Sequence, residues 1–97
     1  MIGMKINRII WYQKFVDKIW NKHHVTVDEA EETLQNRRRV RRVKRGHVRG
    51  EDVYLALGQT DAGRHLAVFF VYKKSHDAIV ISARDMDAKE RREYDRS

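Results

Sequence analysis

Residues 53–73 have the sequence VYLALGQTDAGRHLAVFFVYK, in which two apolar segments flank a short polar turn. Residues 53–60 and 64–73 have the length and the β-branched and aromatic content that are typical of strands. The turn at residues 61–63 ends in a glycine, which adopts a positive φ without steric cost. In residues 66–72 both sets of alternating side chains are apolar, as expected of a strand covered on both faces. We therefore predict a hairpin whose second strand lies centrally in a sheet.

Further strands are predicted on both sides of this hairpin. Residues 78–83 are strand-like. Residues 37–45 are basic at every position except Val40 and Val43. We predict an edge strand there, because charged side chains on a sheet edge discourage aggregation between strands. The apolar and polar side chains of residues 4–11 predict a first strand.

Three helices complete the predicted fold. In residues 13–23 the apolar side chains recur at helical spacing on one inward stripe, namely Phe15, Val16, Ile19 and Trp20. Thr26 followed by Glu29, and Asp87 followed by Glu90, fit capping boxes that open a second helix and a short C-terminal one. This order of elements predicts an α+β fold, with a mostly antiparallel sheet packed against two N-terminal helices and a short C-terminal helix.

Composition limits the class of protein. With 97 residues, no proline and no linker-like segment, a single domain spanning residues 1–97 is expected. The absence of cysteine excludes a disulfide framework and a thiol nucleophile, and the cytoplasm is the expected location. Lys5, Asn7 and Arg8 interrupt the apolar N-terminal stretch, so it is unlike a signal peptide. No apolar run approaches the length of a membrane span, and no membrane partner is expected.

The charge balance favours a polyanionic partner. The sequence has 21 lysines and arginines against 14 aspartates and glutamates, a net charge of +7. A surplus of this size attracts nucleic acid or an acidic protein. The basic stretch at residues 37–45 suits contact with RNA phosphates or with an acidic protein segment, and we favour these over a merely solvated edge.

Several short blocks of the sequence are characteristic when taken together and in order. They are Trp11 with Lys18, Lys22-His23 with Val25 and Glu29-Ala30, Gly58-Gln59-Thr60-Asp61-Ala62-Gly63-Arg64, Ile81-Ser82-Ala83-Arg84, and Glu90-Arg91-Arg92 with Tyr94. In this set the chain resembles the BrnT family of bacterial type II toxins. The resemblance implies a RelE-like ribonuclease toxin, a cognate antitoxin partner that binds DNA on behalf of the pair, and an RNA substrate. The chain departs from the family at His24, where glycine is usual.

Metal-independent RNA cleavage needs cations that hold the phosphate, a base for the 2′-hydroxyl proton and an acid for the leaving oxygen. Together with the resemblance, these needs give the hypothesis that Arg64 and Arg84 hold the phosphate, His23 moves a proton and Tyr94 helps to orient the strand. We expect these side chains to meet around one phosphate. The predicted RNA contacts are Lys18, Lys22, Arg38, Arg39, Arg41, Arg42 and Arg91.

Structural interpretations of the same residues remain open. Arg84 and Glu90 also suit an ion pair that ties a strand to a helix. His23 also suits contact with the carbonyl groups at a helix end. Tyr94 also suits packing on the sheet. The five histidines lack the spacing of metal ligands, so neither a metal nor another cofactor is predicted.

Three functions are compatible with the sequence. The first is a ribonuclease toxin neutralised by a bound antitoxin, which we expect to be acidic in its binding segment. The second is a non-catalytic module that binds nucleic acid, and the third is a protein that helps its antitoxin partner to repress transcription. Cleavage of RNA by the purified protein, with and without a chelator, separates the first from the other two.

Overall fold

The computed structural model describes residues 4–48 and 50–96. In this part of the chain a five-stranded sheet is combined with three helices, which confirms the predicted α+β class. In chain order the elements are β1 (Ile9–Ile10), α1 (Gln13–His23), α2 (Val27–Gln35), β2 (Arg38–Lys44), β3 (Val53–Gln59), β4 (His65–Tyr72), β5 (Ala78–Asp85) and α3 (Ala88–Asp95).

The sheet has the strand order β1-β5-β4-β3-β2. The strand predicted to be central, β4, is the middle one, and the basic strand β2 lies at an edge as predicted. Strands β2 to β5 are antiparallel neighbours, whereas β1 pairs with β5 in parallel, so the sheet is mixed. The first strand is shorter than the predicted residues 4–11. Only two of its residues align with Ala78 and Ile79 before Tyr12 caps α1.

The predicted hairpin is confirmed. All seven residues of β3 pair with β4, from Val53 opposite Val71 to Gln59 opposite His65. Gly63 in the connecting turn has a φ of 95°, a conformation in which a Cβ atom would be strained.

One side of the sheet, which we call the helix side, is packed against α1 and α2. Ile19 from α1 and Leu34 from α2 are buried against strand residues such as Val68 and Phe70. Burying each large apolar side chain contributes about 1.5–3 kcal/mol, so this layer is the main core. The predicted inward stripe of α1 is right at Ile19 but wrong at Trp20, which is 51% exposed. Trp20 is turned by roughly 100° around the helix from Ile19, which takes it to the margin of the buried stripe.

The opposite side of the sheet, which we call the α3 face, is covered in part by α3. A second apolar cluster lies here, made by Leu55, Leu57, Ala67 and Tyr94 with Phe69 and Met86 packed against it. Residues paired across neighbouring strands project to the same side. Arg39 pairs with Leu57, Arg41 with Leu55 and Arg84 with Ala67, so these three arginines also belong to the α3 face.

Helix ends follow the sequence signals closely. In both capping boxes, at Thr26 with Glu29 and at Asp87 with Glu90, the two residues bond each other's backbone N–H groups. α1 ends at His24, which has a φ of 53° in the left-handed region that favours glycine. The side chain at this position is therefore accommodated in a glycine-like turn. The longest helix has 11 residues, and in residues 4–48 and 50–96 no helix has the length and apolar character that a membrane crossing requires.

Candidate active site

Arg84 projects from the α3 face within β5. It lies opposite Ala67, whereas the sequence predicted that this strand ends at Ala83. Its guanidinium donates to both carboxylate oxygens of Glu90, with N–O distances of 2.7 and 2.9 Å. Its Cζ atom lies 5.3 Å from the centre of the Phe69 ring. The paired hydrogen bonds and the aromatic ring together hold the guanidinium in one orientation.

Glu90 connects this arginine to α3. Its side chain also accepts the backbone N–H of Asp87 at 3.0 Å, and the Asp87 side chain accepts the N–H of Glu90 at 2.8 Å. The hydrogen bond from Arg84 lowers the pKa of Glu90, although burial acts in the opposite direction. Glu90 in turn raises the pKa of Arg84 through the same hydrogen bond. Both groups therefore stay charged near neutral pH, and the ion pair considered from the sequence is present.

Tyr94, one turn after Glu90, is buried on the sheet. Its ring centre lies 5.7 Å from that of His65, with the two rings nearly perpendicular at 82°. Its hydroxyl donates to Oε1 of Gln59 at 3.3 Å. The guanidinium of Arg37 lies 4.6 Å from the centre of the Tyr94 ring. Tyr94 thus packs on the sheet and also brings a hydroxyl group next to the start of β4.

His65 is a member of this site that the sequence analysis did not single out. It begins β4 and faces the same side of the sheet as Ala67. Burial lowers the pKa of His65, the positive charge of Arg91 lowers it further, and the negative charge of Asp95 opposes both. Strand alternation was the available signal, because residues 65, 67 and 69 share one face of any strand that contains them.

Arg39 and Arg41 extend the positive charge of the α3 face to the edge strand. A carboxylate oxygen of Glu93 lies 2.8 Å from Nε of Arg41 and 3.6 Å from Nε of Arg39. The Glu93 side chain is 17% exposed, whereas the side chains of Arg39 and Arg41 are 45% and 49% exposed. Two partly exposed guanidinium groups therefore share one largely buried carboxylate. Arg91 on α3 pairs loosely with Asp95, at 3.6 Å.

Arg64 lies on the helix side, at the end of α1. Its guanidinium donates to Asp85 at 2.8 Å, to Glu29 at 3.2 Å, and to the carbonyl oxygens of His24 and His23 at 2.9 and 3.1 Å. The hydrogen bond from Arg64 lowers the pKa of Asp85, and the charge of His23 acts in the same direction. Arg64 thus ties together the end of α1, the start of α2 and the end of β5.

Strand alternation separates the predicted catalytic residues into two groups. Arg84 and Asp85 are consecutive residues of β5, so their side chains project to opposite faces of the sheet. The structure therefore brings Arg84 together with Tyr94, but it places Arg64 with the end of α1 on the other side. This corrects the expected meeting of all four side chains around one phosphate. The catalytic roles of His23 and Arg64 stay predictions.

The predicted lysine contacts lie along α1. Nζ of Lys18 donates to the carbonyl oxygen of Ile81 at 2.8 Å, near the irregular point in the pairing of β5 with β4. This bond satisfies a backbone group at a part of β5 that extends beyond the short strand β1. Lys22 follows one turn later and is exposed. Both lysines therefore lie on or beside the helix side of the sheet, since α1 packs there.

The arginines of β2 alternate between the two sides of the sheet. Arg38 and Arg42 project to the helix side. Arg42 pairs with Asp52 at 3.2 Å. Arg38 donates to the carbonyl oxygen of Leu34 at 2.6 Å and to that of Met4, and burial lowers its pKa. The Arg38 guanidinium is thus engaged with the end of α2 and the N-terminal segment, and the RNA contact predicted for it stays a prediction.

Two cavities bordered by described residues lie elsewhere. A cavity of about 370 Å³ is bordered by the N-terminal segment, α2 and Arg38, and one of about 290 Å³ by Tyr54, Tyr72 and His76. Neither is lined by the Arg84–Glu90 pair. Within the described ranges, 4–48 and 50–96, no group of three His, Cys, Asp or Glu side chains is arranged to hold a metal ion.

The fold and the α3 face together define a small α+β protein in which partly exposed guanidinium groups lie on one side of the sheet with a histidine and a buried tyrosine. The family model described as "Ribonuclease toxin, BrnT, of type II toxin-antitoxin system" matches residues 11–90. The chain belongs to this family. A search of curated proteins gave no match.

A solved structure is also similar. The crystal structure of the Brucella abortus ribonuclease toxin BrnT, at 1.1 Å resolution, has a TM-score of 0.65 and 26% sequence identity with this chain. The similarity covers 82% of this chain and 96% of the Brucella chain. The shared fold therefore extends over nearly the whole length of the Brucella protein.

Proposed function

We propose that this chain is a RelE-like, metal-independent endoribonuclease that cleaves RNA on its α3 face in the cytoplasm. The observation that carries the proposal is the guanidinium of Arg84, fixed by Glu90 and Phe69 on the face that also bears Tyr94. The reaction class comes from the family to which the chain belongs.

Arg84 is suited to hold the scissile phosphate. Its side chain is 33% exposed, whereas that of Glu90 is 10% exposed, so a ligand reaches the arginine and not the carboxylate. A guanidinium has five N–H donors, and the bidentate pair with Glu90 leaves donor capacity for phosphate oxygens. A fixed cation stabilises the charge that develops on the phosphate as the 2′-oxygen attacks. This supply of positive charge by side chains is why we propose cleavage without a metal.

Arg39, Arg41 and Arg91 are suited to bind the phosphates that flank the cleaved one. Their side chains are exposed on the α3 face or on α3 itself. Contacts of this kind release counterions, so affinity for single-stranded RNA falls as salt rises, with a slope of about 0.7 for each phosphate contacted. Replacing both Arg39 and Arg41 by alanine is expected to reduce this slope by about 1.4.

We propose that the antitoxin neutralises the protein by binding the same surface, the α3 face. We propose that an acidic segment of the cognate antitoxin covers the arginines of the α3 face and competes with RNA phosphates for them. Burial of like charges under an oppositely charged partner also stabilises the complex. On this view the toxin contacts DNA only through its antitoxin.

The proposal is tested by incubating purified protein with single-stranded RNA, with and without EDTA. Cleavage that survives EDTA is expected, and Arg84→Ala is expected to reduce its rate by about 10²–10³-fold. The matched control is Arg92→Ala, because Arg92 is exposed on the outer side of α3. Full activity of Arg84→Ala would overturn the assignment of the site. RNA binding without cleavage by the wild-type protein would instead favour a non-catalytic nucleic-acid-binding module.

A further inference from the structure

His65 and Arg84 are diagonal neighbours on the α3 face of the sheet. Ala67 is the direct cross-strand neighbour of Arg84, and His65 precedes Ala67 by two residues on the same face. Such diagonal neighbours have Cα atoms roughly 7–8 Å apart, a gap that long side chains span. The Tyr94 ring packs edge-on against the imidazole and the backbone of His65 accepts the N–H of Met86 at 3.1 Å, so the position of the residue is fixed.

The other titratable groups of the α3 face are poorly suited to accept a proton. Glu90 is bonded to Arg84, and Glu93 is bonded to Arg41. An arginine stays protonated at every physiological pH, and an ordinary tyrosine is protonated below pH of about 10. Of the five histidines in the sequence, His65 is the one that the described strands and α3 place on this face.

Burial, more than the charged groups around it, favours the neutral form of His65 by lowering its pKa. On α3 it faces Arg91 and Asp95, with Tyr94 between the helix and the sheet. Burial and the charge of Arg91 lower the pKa of His65, and Asp95 opposes them. A neutral imidazole is the form that accepts a proton.

We propose that His65 is the general base of the reaction. Its unprotonated ring nitrogen takes the proton of the 2′-hydroxyl as the 2′-oxygen bonds to phosphorus. The bond from phosphorus to the 5′-oxygen breaks, and that oxygen takes a proton from water, which leaves a 2′,3′-cyclic phosphate and a 5′-hydroxyl end. This inference deepens the proposed function and rests on it.

The test uses His65→Gln, which keeps a polar side chain but removes the titratable nitrogen. We expect single-turnover cleavage of a short single-stranded RNA to slow by about 10²–10⁴-fold. Binding of the same oligonucleotide with 2′-O-methyl groups, which cannot be cleaved, is expected to stay unchanged. The wild-type rate is expected to rise with pH and then level off, and the variant is expected to lose this rise. His47→Gln, at an exposed loop position, is the matched control and keeps the wild-type profile.

A second measurement does not depend on the variant. The imidazole of His65 is titrated by NMR in the wild-type protein, and its pKa is expected to match the midpoint of the pH–rate profile of the free enzyme. A mismatch overturns the inference, as does cleavage by His65→Gln at the wild-type rate. His23→Gln is compared in the same assay, and loss of the pH dependence there instead of at residue 65 also overturns it.

The outcomes separate this inference from the proposed function. If the wild-type protein does not cleave RNA, both fail. If it cleaves RNA and Arg84→Ala does not, while His65→Gln retains full activity, the proposed function stands and only the role of His65 fails.

Discussion

Replacing Arg64 by alanine is expected to destabilise the fold by about 2–5 kcal/mol while leaving the groups of the α3 face in place. In the native structure this guanidinium joins four acceptors from three elements. They are the carboxylates of Asp85 and Glu29 and the backbone carbonyl oxygens of His23 and His24. The substitution leaves all four without their shared donor.

The magnitude follows from how exposed the acceptors are. The Asp85 side chain is 64% exposed, so its ion pair contributes at most about 1 kcal/mol. The Glu29 side chain is 29% exposed, and its pair contributes about 1 kcal/mol. Each of the two carbonyl groups at the end of α1 loses a hydrogen bond that contributes about 0.5–1.5 kcal/mol. The total is a large share of the roughly 5–15 kcal/mol that stabilises an ordinary domain.

Unfolding by urea, followed by circular dichroism, measures the loss. In a separate thermal scan the melting temperature is expected to fall by roughly 8–40 °C, because each kcal/mol lowers it by roughly 4–8 °C in a domain of up to about 100 residues. Arg92→Ala is the matched control and is expected to change stability by less than about 0.5 kcal/mol. Arg64→Lys keeps the charge but lacks the planar fork, so it is expected to recover less than half of the lost stability.

Cleavage of RNA by Arg64→Ala is then measured at a temperature at which the variant is folded. If Arg64 has only a structural role, the rate of cleavage stays within about threefold of the wild-type rate, which corresponds to less than about 1 kcal/mol in the activation barrier. A variant that is as stable as the wild type but no longer cleaves RNA would refute this reasoning. That result would also support the catalytic role predicted from the sequence.

Three further substitutions or conditions test the fold. Asp87→Ala removes the cap of α3 and is expected to cost about 1 kcal/mol in urea unfolding, with a smaller loss for Asp87→Asn. Gly58→Ala is expected to cost about 1–3 kcal/mol, because the new Cβ would lie 3.0 Å from the carbonyl oxygen of Thr33; an unchanged midpoint would contradict this. Glu90 and Glu29 have lowered pKa values in the folded state. Their contributions to the free energy of unfolding are therefore present above the unfolded-state pKa and are lost as pH falls through the folded-state pKa. The urea midpoint is expected to decrease from pH 7 to pH 4, and an increase would refute this sign.

Much of the fold was predictable because it depends on local signals. The two capping boxes and the central strand follow from side-chain spacing over fewer than ten residues, and the hairpin follows from two such strands around a short turn. The parallel pairing of β1 was not predictable from such spacing. It depends on how the N-terminal segment meets Ala78 and Ile79, some 70 residues later in the chain. Trp20 was misplaced for a related reason, since an apolar residue at the margin of a helical stripe is buried only if the sheet extends beneath it.

The candidate site was predictable only in part, because the sequence analysis did not select His65 and did not give the arrangement of the side chains. Arg84 and Tyr94 were selected from the sequence, and they lie on the same face. The arrangement of the other predicted residues depended on where β5 ends. The sequence analysis ended this strand at Ala83, so it did not assign residues 84 and 85 to either face of the sheet. The side chains of Arg64 and Arg84 could therefore be expected to meet. In the structure the pairing of β5 with β4 continues through Arg84 and Asp85, which places Arg84 on one side of the sheet and Asp85 on the other.

Alternation also explains how the arginines of one basic strand divide between the two sides of the sheet. In β2 the side chains of Arg38 and Arg42 project to the helix side, where backbone carbonyl groups and Asp52 accept their hydrogen bonds. Arg39 and Arg41 project to the α3 face, where they share Glu93 and remain nearly half exposed. Their positive charge is therefore held in place without being fully neutralised. On the proposed function, an acidic antitoxin segment needs to cover only this one face to compete with RNA, because Arg38 and Arg42 are already engaged on the helix side.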